Sequence, residues 1–293
     1  MNPDRDVERK SVDVSVIVAN FNNGRYLRDF FHSVLASTVC PRELIFVDDG
    51  STDDSREQLS EYQDIPYLKL ILFNNNKGFT KALNVALELA SSKYILRVDS
   101  DDMMLPDRLE RQFRFMEEHP EVDVSGANVI YCQDQRMEPI NRSNFPTRHA
   151  QIVKTYRRGE HGMLHATVIA KAAVYKAYRY QDIFPSEDYE LFSRMVRDGR
   201  CFANLHKPVN LVRVHPRSST SNLTINSIRY TFRLRDEIFS TKTARARIWL
   251  YFYHIRYYRK YQLNNSQVTR HLFLLMSSLF YPSKILRRLR YLQ

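Results

Sequence analysis

Residues 12–19 (VDVSVIVA) form a β-branched, nearly unbroken apolar run, which predicts a buried strand. The run stops at Asn20-Phe21-Asn22-Asn23-Gly24, a loop-forming cluster. Tyr26, Leu27, Phe30, Phe31, Val34 and Leu35 then recur at helical spacing. The alternation repeats. Residues 44–47 (LIFV) predict a second strand, halted by Asp48-Asp49-Gly50-Ser51-Thr52-Asp53-Asp54, where Ser51 or Thr52 is placed to cap a helix running through Leu59. Residues 67–73 predict a third strand, followed by Asn74-Asn75-Asn76-Lys77-Gly78. Leu83, Ala86, Leu87 and Ala90 make a helical stripe leading to a strand over 93–98. Four strand–helix alternations before residue 100 predict an α/β fold with a mostly parallel central sheet flanked by helices.

Further along, Leu109, Phe113 and Met116 predict a short helix closed by His119-Pro120, and residues 122–131 another strand. Residues 132–160 are polar and mixed in sign, with Pro139 and Pro146, and read as a mobile flap over the site. Leu191, Met195 and Val196 predict a helix with Glu187 and Asp188 at its start. Residues 228–239 predict another. Residues 272–280 are apolar but too short to span a bilayer.

Composition narrows the class. The chain has 293 residues with 43% hydrophobic content, 7 Gly and 11 Pro, an ordered globular protein. The net charge of +11 is unevenly placed: from Asn226 onward fourteen Lys/Arg face two acids, leaving residues 1–225 nearly neutral. A basic tail on a neutral body argues for an anionic docking surface rather than a general nucleic-acid binder. Cys40, Cys132 and Cys201 are too few and scattered for a disulfide framework or a zinc knuckle, and residues 1–10 lack the apolar core of a signal peptide. A cytoplasmic protein is expected.

The chemistry centres on Asp99-Ser100-Asp101-Asp102. Three carboxylates within four positions repel one another, and hard oxygen donors suit Mg²⁺ or Mn²⁺ better than zinc. Alone, the cluster also reads as a solvated turn. It follows a predicted strand, as do Asn20, Asp48/Asp49 and Asn76, so these loops should open on one nucleotide-sized edge of the sheet. Neither GxGxxG nor GxxxxGK[ST] occurs. Ser186-Glu187-Asp188-Tyr189 is a second acidic constellation, either ordinary helix N-terminal chemistry or a general base. His149, His161 and His165 fit no common metal spacing, and His165 reads as packing or an acceptor contact.

Residues 14–22, VDDGSTDD at 47–54, Asn76-Lys77-Gly78 with Leu83-Asn84, and Arg97-Val98-Asp99-Ser100-Asp101-Asp102 running into LPDRLERQ at 105–112 resemble, in order and spacing, a family 2 glycosyltransferase of the GT-A fold. The resemblance covers roughly residues 12–220. It implies a catalytic domain over 1–225, with a nucleotide-binding half near 12–112 and an acceptor-binding half near 113–225, followed by a basic, aromatic helical extension over 226–293. Ala19, Asn20, Asn22, Asp48, Asp49, Asn76, Lys81, Asp99, Arg213 and His215 would line the nucleotide-sugar site. Of these, Asp49 with Asp48 would accept from the base, although Asp48 also reads as a helix cap. Asp101, with Asp99, would hold Mn²⁺ or Mg²⁺. Asp188 would be the catalytic base of an inverting transfer, and Glu187 and His165 would meet the acceptor. Arg213 and His215, in the late segment VRVHPRSS (212–219), would meet phosphate or order the flap.

Two departures from the family pattern stand out: Ala177-Tyr178-Arg179 where Gly-Gly-Tyr is common, and Lys81 where some relatives carry Arg. The donor expected is a nucleotide-diphosphate sugar, a UDP-sugar foremost, and the acceptor a glycan or lipid-linked glycan. A sugar nucleotidyltransferase is the second enzyme reading, but Ala19-Asn20-Phe21-Asn22 is no triphosphate loop. A scaffold binding nucleic acid through its tail leaves the ordered Asp motifs unexplained. Near the C-terminus, Ile285, Leu286, Leu289 and Leu292 share one helical face while Lys284, Arg287, Arg288 and Arg290 crowd the rest, the pattern of a helix at a membrane interface. Residues 245–261 add Trp and Tyr anchors. Packing of the tail on the body, or a homodimer contact, is its other use.

Overall fold

The computed structural model describes residues 9–183, 185–216, 218, 223–264 and 266–282. The predicted interfacial helix beyond Pro282, with Arg217 and Ser219 of the late segment, lies outside them. The first half runs β1 (Ser11–Asn20), α1 (Gly24–Leu35), β2 (Cys40–Asp48), α2 (Ser55–Ser60), β3 (Leu68–Leu72), α3 (Phe79–Leu89) and β4 (Tyr94–Arg97). Its strands pair in parallel, with Ile17 opposite Ile45 on one side and Arg97 on the other. Successive side chains of a strand point to opposite faces. Val14, Val16 and Val18 join Phe30, Phe31 and Phe46 in one core, and Ile17, Ala19 and Val47 join Leu83, Ala86 and Leu87 in another. Helices on both faces therefore require the unbroken apolar run of β1.

The second half contributes β5 (Met103–Met104), α4 (Arg108–Glu118), β6 (Val124–Gln133), β7 (Pro139–Arg142), α5 (His149–Tyr156), β8 (Ile169–Lys171), α6 (Ala172–Tyr178), α7 (Glu187–Arg197) and β9 (Phe202–Val214). The nine-stranded sheet has the order β3-β2-β1-β4-β8-β6-β9-β5, with β7 on β6. Here the predicted parallel pattern becomes mixed: β8 is antiparallel to β4 and β6, whereas β6 and β9 are parallel. That switch carries the end of β9 to the acidic edge of the first half.

Two local expectations change. Helix α2 starts at Ser55, after the predicted caps, because the Ser51 hydroxyl donates to Asp48 Oδ1 at 2.5 Å while Asp53 Oδ1 accepts from Ser55 N at 3.0 Å. Residues 132–160 are built structure rather than a flap. β7 extends the β6 ladder, with Pro139 as the first residue of an edge strand, where a missing N–H is harmless. Ile152 and Tyr156, one helical turn apart on α5, are fully buried.

The basic extension forms α8 (Ile225–Phe239), α9 (Arg245–Leu263) and α10 (Gln267–Phe280). It packs on the body. Thr224 and Ser227 make a capping box, and Ser186 Oγ meets Thr231 Oγ1 at 2.7 Å. Arg235 and Arg247 donate to the carbonyls of Arg157 and Arg158 at 2.8 and 2.5 Å. Gly159, at φ +80°, is needed there, since a Cβ would lie 2.6 Å from the Phe232 ring. Among the described residues no helix is long and apolar enough to cross a membrane.

Candidate active site

Three parallel strands end on one edge, and their last residues tie that edge together. Asn20 stands opposite Asp48 in the β1–β2 register and donates from Nδ2 to Asp48 Oδ1 at 2.9 Å. Asp48 is fully buried; it also accepts from Ser51 N at 3.1 Å and lies 3.5 Å from Arg56. Asn22, at φ 54°, accepts from the backbone of Thr52 at 2.8 Å and of Asp53 at 3.3 Å. Asp49 accepts from the amides of Lys77 and Gly78 at 2.7 and 2.9 Å. An ionised carboxylate has about four lone-pair sites, so Asp49 keeps capacity for a further donor. Gly50 is required by its φ of +70° and by the Asn75 backbone, 2.3 Å from where a Cβ would stand. Ala19 and Asn20 are buried, and Asn76 and Lys81 are exposed on the adjoining loop and helix.

Beyond β4 the acidic cluster is balanced from below. Arg97, nearly buried, holds both oxygens of Asp99. Arg108 is fully buried and donates to Gln112 Oε1, Asn210 Oδ1 and the carbonyls of Arg97 and Ala166 at 2.6–2.9 Å. Burial lowers the Arg108 pKa to about 9, so it stays charged at neutral pH. Asp102 is also buried. Desolvation, then the Asp101 and Asp99 charges, hold its pKa well above the usual carboxylate range, against one hydrogen bond from Arg213 N at 3.1 Å. Asp99 and Asp101 keep 32% and 23% of their side chains exposed, so they face the crevice.

The end of β9 closes over this cluster. His215 Nε2 stands 2.9 Å from Asp101 Oδ2. Arg213 is engaged by neighbouring chain: its guanidinium pairs with Asp29 on α1, donates to the Asp134 carbonyl at 2.7 Å and lies 5.0 Å from the Tyr26 ring centroid. Of the two uses expected of Arg213, it is the ordering of neighbouring chain that these contacts match. His215 packs on the same Tyr26 at 5.4 Å.

The second acidic constellation opens α7. Asp188 Oδ1 accepts from Tyr189 N at 2.6 Å and lies 3.3 Å from His161 Nε2. Burial acts to raise its pKa, but His161, by charge and hydrogen bond, and the Tyr189 amide hold it well below the usual range. Glu187 goes the other way: burial, then the Asp188 charge, raises it to about 7, and its Oε2 has no hydrogen-bond partner among the described residues. His165 is buried, held neutral by desolvation and the Arg97 charge, and its Nε2 meets Tyr180 OH at 2.5 Å. Asn84 clamps Tyr180 by both backbone groups, at 2.8 and 2.9 Å. Arg179, just before it, has φ +49°, where glycine would be unstrained.

The structure thus brings Asp99, Asp101 and His215 together, and Arg97 is close enough to act on both Asp99 and Glu187. It places Asn20, Asn22 and Asp48 in the supporting frame. Sequence reading missed Tyr26, Asp29, Asp134 and Tyr180, whose roles depend on contacts across the fold.

Residues 15–180 match the profile of Glycosyl transferase family 2. The chain is 31% identical over 212 residues to the amylovoran biosynthesis glycosyltransferase AmsE of Erwinia amylovora, covering 71% of this chain and 78% of that one. Its fold is similar to that of S. aureus TarS 1–349 in complex with UDP-GlcNAc, with a TM-score of 0.64, 19% identity, and 91% and 79% of the two chains covered. It is also similar to a mannosyltransferase from Pyrobaculum calidifontis in complex with GDP-Man and Mn²⁺, at a TM-score of 0.60, 15% identity and 96% and 84% coverage. These likenesses establish the GT-A type of fold.

Proposed function

The chain belongs to Glycosyl transferase family 2, and from that premise we propose that it moves a sugar from a nucleotide-diphosphate donor to a glycan hydroxyl with inversion. The observation that carries the proposal is the meeting of Asp101 with His215, in the same acidic run as Asp99, at the edge where β1, β2 and β4 end. A UDP-sugar is the donor to test first, because the TarS neighbour is in complex with UDP-GlcNAc. AmsE, named for amylovoran biosynthesis, supports a role in polysaccharide biosynthesis, and the acceptor proposed is a surface polysaccharide or lipid-linked glycan.

Among the described residues no three His, Cys, Asp or Glu side chains form a metal cage. Mg²⁺-type sites commonly use one or two carboxylates plus substrate phosphates, and the donor set here fits that pattern. Asp101 and His215 present an oxygen and a nitrogen 2.9 Å apart, and Asp99 offers a second carboxylate. A divalent ion held there would offset the charge gathering on the departing diphosphate.

The residues of the chain do the rest. Asn20, Asp48 and Asp49 hold the base-binding edge rigid, with Asp49 as the acceptor for the base. Asp188 stays ionised and takes the proton of the acceptor hydroxyl as that oxygen bonds to the anomeric carbon and the bond to the diphosphate breaks. Glu187 and His165 border the acceptor. The enzyme would work in the cytoplasm, peripheral to the inner face of the membrane, with residues 282–293 as one contact and a homodimer as the competing use of the tail. A panel of nucleotide-sugars, scored by Mn²⁺-dependent thermal stabilisation and then by turnover, tests the reading. Stabilisation by one donor with release of its nucleoside diphosphate is expected; no response to any donor would overturn it.

A further inference from the structure

The C-terminal helical hairpin turns an unusual surface outward. On α10, Val268, Leu272, Leu275 and Leu279 are 81%, 54%, 59% and 71% exposed. They recur at intervals of four, three and four, one continuous stripe on one helical face. The opposite face makes the contacts: Ser277 Oγ meets His254 Nδ1 at 2.8 Å, and Phe280 stacks on Tyr253 and Tyr257.

Helix α9 has its own exposed stripe, Arg245, Trp249, Tyr253, Arg256 and Lys260, at intervals of four, four, three and four. Tyr253 and Lys260 of this stripe border α10. Tyr253 stacks on Phe280 at 5.1 Å, beside Leu279, and Lys260 lies 5.4 Å from the Phe273 ring, beside Leu272. From residue 238 to the end the sequence has no Asp or Glu and eleven Lys or Arg.

We infer that the outer face of the α9–α10 hairpin is a membrane-docking surface for an anionic bilayer. Its aliphatic stripe would enter the acyl boundary, with Trp249 and Tyr253 at headgroup level and Arg256 and Lys260 near lipid phosphates. Soluble monomers rarely expose contiguous apolar stripes of this kind. Charge selects the occupant. A second copy would bring the same cations to the contact, whereas an anionic leaflet offsets them. The hairpin lies on the surface and does not span it. This deepens the peripheral-membrane reading, which otherwise rests on residues 282–293, and moves the docking surface onto α10.

The test uses the full chain and vesicles of phosphatidylcholine with and without phosphatidylglycerol. Binding to the anionic vesicles is expected, falling as salt rises. Replacing Leu272, Leu275 and Leu279 together by Ser should reduce binding by tenfold or more, with an unchanged circular dichroism spectrum, because all three side chains are already exposed. Arg256→Gln with Lys260→Gln should flatten the salt dependence. Loss of binding on Leu286→Ser with Leu289→Ser but not on the α10 triple substitution would overturn the assignment to α10 and leave peripheral docking intact. No vesicle binding by the unmodified chain would overturn both. A dimer in solution that the triple substitution dissociates would give the stripe to a second copy.

Discussion

His215 Nε2 and Asp101 Oδ2 stand 2.9 Å apart, although they lie 114 positions apart in the chain. The contact exists because β9 runs back beside β6 and ends above the loop that follows β4. It joins the end of β9 to the acidic cluster that follows β4.

Asp101→Asn should nearly abolish transfer, by roughly a hundredfold or more, because a divalent ion supplies several kcal/mol of charge stabilisation. His215→Ala should reduce transfer and weaken Mn²⁺-dependent stabilisation as well, since both side chains offer a ligand to the same point. Folding should survive both changes. Turnover with and without EDTA checks this; full activity in EDTA would remove the metal from the mechanism.

Asp188→Asn should lower transfer by roughly a hundredfold, the scale of general-base loss, with donor binding unchanged. Because Asp188 ionises far below neutrality, the acid limb of kcat/KM should not fall near pH 7. A limb centred at about 7, lost in Glu187→Gln, would assign the base to Glu187 instead.

Stability should show the Glu187 proton directly. Its folded pKa of about 7 lies above the unfolded value, so the folded state binds the extra proton between the two. Its contribution is present at low pH and disappears as pH rises through about 7. Glu187→Gln should therefore unfold at higher urea than the unmodified chain at pH 8, by up to ~3 kcal/mol, and show no such gain at pH 4.5. An equal difference at both pH values would show that the carboxyl does not titrate with folding.

Gly50 and Gly78 separate two reasons for glycine. Both have positive φ, but a Cβ on Gly50 would meet the Asn75–Asn76 backbone at 2.3–2.7 Å, whereas one on Gly78 would meet nothing within 4 Å. Gly78→Ala should cost about 1–3 kcal/mol of backbone strain. Gly50→Ala should cost more, and should also weaken donor binding by displacing the loop that caps Asp49. Urea unfolding and donor titration of the two variants compare them.

The sequence alone determined the first half of the fold. Its strands are buried on both faces, so each reads as an apolar run, and each ends in the polar or acidic residues that mark the ligand edge. The DSDD run and Glu187-Asp188 were legible for the same reason, since their chemistry sits in adjacent residues. The antiparallel insertion of β8 was not, because three residues carry no periodicity and its partners lie 77 and 44 positions away, Tyr94 opposite Lys171 and Ser125 opposite Ile169. Residues 132–160 read as a flap because β7 is a short polar edge strand, ordered only by its ladder with β6. Tertiary structure alone decided which charges balance the acidic edge. Arg97 and Arg108 stand in the motif with nothing in the sequence to show what they pair with, and burial makes each a fixed cation beneath the carboxylates. Arg213, expected to meet phosphate or order neighbouring chain, pairs with Asp29 because α1 brings that carboxylate alongside the end of β9.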